Sequence, residues 1–202
     1  MGVIFQSLGR TVVAGIVILL VILGLAGTLG EIGKDAHVIY PMVMRWLHVM
    51  VGVMWIGLLW YFNFVQIPSM PKIPDEQKPA VSKVIAPEAL FWFRWAALAT
   101  VITGLLLASL NGYLHQALAF KRDFLAIGIG MWLAMLMAFN VWFIIWPNQK
   151  KALGIVQVEA DAKAKAARMA MLTSRFNTML SIPMLYCMVA QQNGGFLLGA
   201  AS

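Results

Sequence analysis

Charge is scarce in this chain: aspartate, glutamate, lysine and arginine make up 11% of its 202 residues, against 61% hydrophobic. Soluble domains carry about a quarter charged residues, so a mean hydropathy of +0.82 excludes a water-soluble globule. Cysteine is scarcer still. The single Cys187 excludes an intrachain disulfide, and the sequence holds no Cys-x-x-Cys-His attachment site for c-type haem. Only three histidines are present, His37, His48 and His115, and none pairs with another at the short spacing that a tetrahedral zinc or copper site needs. No nucleic-acid motif accompanies the net charge of +7, so no nucleic-acid partner is expected.

Long apolar runs are what the chain has in plenty. Runs at 11–29, 42–67, 89–110, 124–146 and about 176–198 each approach the ~20 residues that cross ~30 Å of hydrocarbon. The expected fold is an all-α integral membrane protein, five transmembrane helices in one bundle, with residues 1–202 forming a single domain. The first run has one basic residue before it, Arg10, and Ala26-Gly27-Thr28 is a poor cleavage site, so the run is expected to stay as a helix. Lysine and arginine crowd the side of Arg10, Lys72, Lys78, Lys83, Arg94, Lys150, Lys151, Lys163, Lys165, Arg168 and Arg175, leaving Lys34, Arg45, Lys121 and Arg122 on the other. By the bias of such residues to the inner face, the N-terminus is cytoplasmic and the C-terminus periplasmic, in a bacterial inner membrane. The positive charge then reflects topology and anionic lipid.

Segment 68–87 holds Pro68, Pro71, Pro74, Pro79 and Pro87 and is expected to be an extended, semi-rigid loop. Segment 149–172 is alanine-rich, with Glu159/Lys163 and Asp161/Lys165 four apart, and reads as a separate cytoplasmic helix between the fourth and fifth spans. Tryptophans near run ends, among them Trp46, Trp60, Trp92, Trp95, Trp142 and Trp146, match an interfacial belt.

An ionisable residue inside such a run is costly and marks a functional candidate. His48, in Arg45-Trp46-Leu47-His48, lies about 9 Å down its helix from Met42 at ~1.5 Å per residue. Neutral imidazole is a good axial ligand for haem iron, so His48 is the candidate ligand of a b-type haem, with His115, His37 or a methionine as a second. Arg45, one turn earlier, is the candidate partner of a haem propionate, and Gly52, one turn later, would leave room for a porphyrin edge. The plainer alternative is a histidine hydrogen-bonded to a neighbouring helix, with His37 and His115 solvated in loops and Arg45 snorkelling. A second polar layer, Asn63, Gln66, Arg94, Asn140, Ser174, Arg175 and Asn177, is expected to bond internally and fix the bundle, in preference to forming a substrate or quinone site.

Three ordered motifs carry a family likeness: Arg45-Trp46-Leu47-His48 with Trp55-Ile56-Gly57; Asn140 through Lys150; and Ser174-Arg175-Phe176-Asn177-Thr178 leading to Ser181-Ile182-Pro183. From about residue 40 onward the chain resembles the membrane domain of bacterial cytochrome-c-type urate oxidases, also called urate hydroxylases. A looser likeness is to the small haem-binding membrane protein of the protoporphyrinogen oxidase type. The first resemblance implies a multi-helix membrane domain passing electrons to a C-terminal periplasmic cytochrome c, which this chain is expected to lack and to meet as an external partner. It implies no urate-contacting residue here. The other reading is a non-catalytic subunit of a larger respiratory, photosynthetic or oxygenase assembly. Membrane lipid and other membrane subunits are expected partners in both.

Overall fold

The computed structural model describes residues 2–27, 29 and 36–196, and among these the regular structure is entirely helical. The chain divides at Val43 and Met44 into two compact units.

The first unit contains α1 (Gly2–Phe5), α2 (Leu8–Leu25) and the opening turns of α3 (Ala36–Trp60). The Thr11 hydroxyl meets the Ser7 carbonyl at 3.1 Å, and Gly27, at φ +75, adopts the left-handed conformation that commonly ends a helix. No residue of α2 is buried. A helix apolar on every side and buried on none suits lipid rather than water. Its bounds lie a few residues before the expected 11–29. The expected first outer loop falls partly outside the described residues, but His37 is already helical, in the first turn of α3.

The second unit carries the rest of α3, then α4 (Ala86–Leu110), α5 (Leu114–Leu118), α6 (Leu125–Phe139), α7 (Trp146–Ala152) and α8 (Ala160–Ala190). π-helical stretches at Tyr61–Gln66, Val81–Ile85 and Asn140–Ile145 are inserted without breaking the helices they join. Four helical stretches are long and apolar enough to cross a membrane: Leu8–Leu25, His37–Lys72, Lys78–Leu110 and Arg122–Ala152.

Two features differ from expectation. The proline-rich segment is mostly helical, with helix running to Lys72 and resuming at Lys78. Pro79 lies at the start of a helical stretch, where a missing N–H costs little, while Pro68, Pro71 and Pro87 lie within helical stretches, each just after the helix changes type. The expected separate helix over 149–172 is instead divided. Its start completes α7 through Pro147, residues 153–159 are non-helical, and the remainder is the first half of α8, one helix that continues to Ala190. Nor is this last helix apolar enough to count among the four spans. Its buried face contains Ser174, Asn177 and Ser181 together with Met184 and Cys187, and a helix screened by protein need not be lipid-like.

The core lies where α3, α4, α6 and α8 meet, around Trp55, Leu59, Phe93, Ala97, Met137 and Val141. Lipid tails are as apolar as leucine, so burying these residues gains little by transfer; close approach and dispersion hold the helices. Small residues provide the approach. Gly128 of α6 lies so close to the Ala117 carbonyl of α5 that a Cβ would overlap it, and a Cβ on Gly130 would lie 3.1 Å from that of Cys187.

Candidate functional site

His48 lies on α3 within the second unit, facing α4. Its Nδ1 is 3.1 Å from the Thr103 hydroxyl. That hydroxyl has one proton, and the Ala99 carbonyl, 2.7 Å away, receives it. With the hydroxyl proton on that bond, Nδ1–H would donate to Thr103, and which ring nitrogen carries the proton depends on the tautomer. The Thr100 backbone also hydrogen-bonds the ring. The ring lies against Gly104, where a Cβ would be 2.9 Å from His48 Cε1 and 3.3 Å from Nδ1. A glycine seat and a threonine hydroxyl thus fix the imidazole in position. Sequence reasoning missed both residues, although Thr103-Gly104 is a small polar pair inside an apolar run.

The seat predicts the behaviour of Gly104→Ala. The imidazole is the mobile end of a side chain, so it should swing away while α3 and α4 stay together. Helix propensity returns roughly 0.5–1 kcal/mol. The melting temperature should stay near the wild-type value while the 15N resonances of His48 shift from their wild-type positions. Unchanged resonances would contradict the seat.

The other candidates are placed as follows. Gly52 faces Thr100, whose Cγ2 would be 3.8 Å from a Cβ there, an ordinary contact, so the position takes part in the α3–α4 packing. Arg45 is exposed one turn before His48, and its charge reaches Tyr113, in the turn before α5. Burial pushes the Tyr113 phenol up from its ordinary range, and Arg45 opposes the shift. Tyr113 stacks on Phe124 at 5.3 Å between centroids. His115 is exposed on α5 and forms no hydrogen bond with His48; His37 is exposed in the first unit. Among the described residues no cluster of three or more histidine, cysteine or acidic side chains could hold a metal ion.

Part of the second polar layer bonds internally. Asn140 Nδ2 donates to Asn177 Oδ1 at 2.8 Å, and Asn177 Nδ2 donates to the Met137 carbonyl at 2.9 Å. Asn63 Nδ2 donates to Ser174 Oγ at 2.8 Å and to the Leu59 carbonyl at 2.9 Å, while Trp60 Nε1 donates to Ser181 Oγ at 3.0 Å. The two carbonyls served by asparagine lie just before π-helical stretches, where a side chain entering the backbone ladder accounts for a local widening. Four buried atoms are left without partners: Trp55 Nε1, Asn63 Oδ1, Gln66 Oε1 and an Nη of Arg94.

No curated protein and no solved structure matches the chain. A family model does match, over the part that runs from the last turn of α4 through α8 and includes Asn140, Ser174 and Asn177 but stops short of His48 and its seat. The model is described as Urate oxidase N-terminal, and its match to residues 107–197 supports a relation of this part of the chain to the urate oxidases.

Proposed function

We propose that the chain is a urate-oxidase-related redox protein of the membrane, in which His48 holds a b-type haem and electrons pass to a separate periplasmic cytochrome c. One observation carries this reading: an imidazole within an apolar helix, held at Nδ1 by the Thr103 hydroxyl. Iron-ligating histidines are held in this way, with the far nitrogen donating to a second group that sets ring orientation and basicity. The donor chemistry fits one axial bond to haem iron, and Arg45, one turn nearer the helix start, fits a propionate. When bound, the haem would supply one-electron redox chemistry. The residues here would hold and orient it, with Thr103 holding the ring at Nδ1. His115, in the same unit, stays a candidate for a second ligand.

The test is spectroscopic. Purified protein is expected to give b-type bands in reduced-minus-oxidised and pyridine haemochrome spectra, and His48→Ala to lose them while keeping its helical circular dichroism. Folded wild-type protein without such bands would sink the haem reading.

A second reading, an accessory subunit of a larger membrane assembly, draws on α2, which buries no residue and is available to neighbouring chains. The mass of the detergent-solubilised particle separates the two.

A further inference from the structure

Arg94 is a cation without a counter-charge. It lies in the Lys78–Leu110 span, its guanidinium carbon 3.6 Å from the centre of the Trp146 ring, with one of its Nη atoms sealed from solvent and bonded to nothing. No carboxylate among the described residues pairs with it. Glu88, on the first turn of α4, instead accepts from Trp92 Nε1 at 2.8 Å. A snorkelling arginine would have all its donors in water, so the orphaned nitrogen argues against that explanation. A second cation shares the same indole: Lys150 Nζ is 5.7 Å from the ring centre. The last turn of α7 is basic, with Lys150 and Lys151, and the span ends at Ala152. The charge bias of the sequence assigns that end to the cytoplasmic headgroup layer.

We infer that Arg94 and Lys150, on the floor formed by Trp146, make a site for the phosphate of an anionic phospholipid. The guanidinium face is covered by the indole, which leaves the in-plane N–H groups other than the sealed Nη for phosphate oxygens, and Lys150 adds a point charge. A phosphodiester at this boundary would neutralise a charge that apolar surroundings disfavour. Free phosphate offers the same oxygens; the site's position at the end of a membrane span favours the lipid. The inference is independent of haem at His48.

The experiment is thermal denaturation of the full chain in detergent, titrated with phosphatidylglycerol, phosphatidylcholine or inorganic phosphate. Phosphatidylglycerol alone should raise the melting temperature. Arg94→Gln and Lys150→Gln should each need about fivefold more of it for the same rise, whereas Lys165→Gln on α8 should titrate like wild type. Equal rises with phosphatidylcholine would overturn the inference. So would inorganic phosphate matching phosphatidylglycerol, or variants that titrate unchanged. If Arg94→Gln fails to fold, Lys150→Gln decides the question by itself.

Discussion

Gly128→Ala is expected to destabilise the protein more than alanine at any other described glycine of α6, by about 3 kcal/mol, at the upper end of ordinary overpacking. The reason is what the new methyl would meet. It would overlap the Ala117 carbonyl oxygen and lie 3.2 Å from its carbon, and these are backbone atoms of α5 that no rotamer change can move aside. The strain should displace the Leu114–Leu118 helix, weakening the Tyr113–Phe124 stack and the 3.1 Å bond from Trp132 Nε1 to the Leu118 carbonyl. Two other glycines calibrate the result. Alanine at Gly130 meets Cys187 Cβ at 3.1 Å and should cost less, because a small shift of the helices relieves that contact; alanine at Gly57 meets nothing within 4 Å and should be neutral or mildly stabilising. Denaturant unfolding in detergent, followed by circular dichroism, ranks the three. A Gly128→Ala protein as stable as wild type would mean that α5 and α6 are not in backbone contact.

Asn177→Leu should lower stability by about 2 kcal/mol, because it removes one side chain and strands two other groups. Asn177 is 0% exposed; its loss leaves Asn140 Nδ2 and the Met137 carbonyl without their bonds of 2.8 and 2.9 Å. Hydrogen bonds between membrane helices average well under this figure, since exposed groups find substitutes in the unfolded-in-membrane state. The higher value is expected because one residue makes both bonds in a sealed site. Adding Asn140→Leu should cost less than it does alone, with a coupling of roughly 1 kcal/mol, as the second change removes the stranded donor. Additive losses in the double-mutant cycle would show that the two amides do not work as a pair.

The five apolar runs were legible because crossing a bilayer demands local apolarity along consecutive residues, and four of them correspond to helical stretches with span character. The last was harder to read. Its polar residues lower its hydropathy, and only their partners on other elements, Asn140 for Asn177 and Asn63 for Ser174, show that they belong to a packed face. Proline spacing misled over 68–87, because proline disfavours regular helix interiors but suits first turns and points where the helix changes type, and spacing alone does not say which position each one takes. Of the site, His48 stood out by the cost of a titratable ring among apolar side chains. Its supports did not, since Thr103 lies 55 residues away along the chain.

Sequence by itself determined the solvent of this protein and the helices that face it, because hydropathy and helical length are sums over neighbouring residues. Tertiary structure alone decided which polar atoms are satisfied: the contact of His48 with Thr103, the pairing of Asn140 with Asn177 and the orphaned nitrogen of Arg94. A hydrogen bond depends on ångström distances between segments far apart in the chain, and those distances exist only after the helices have packed.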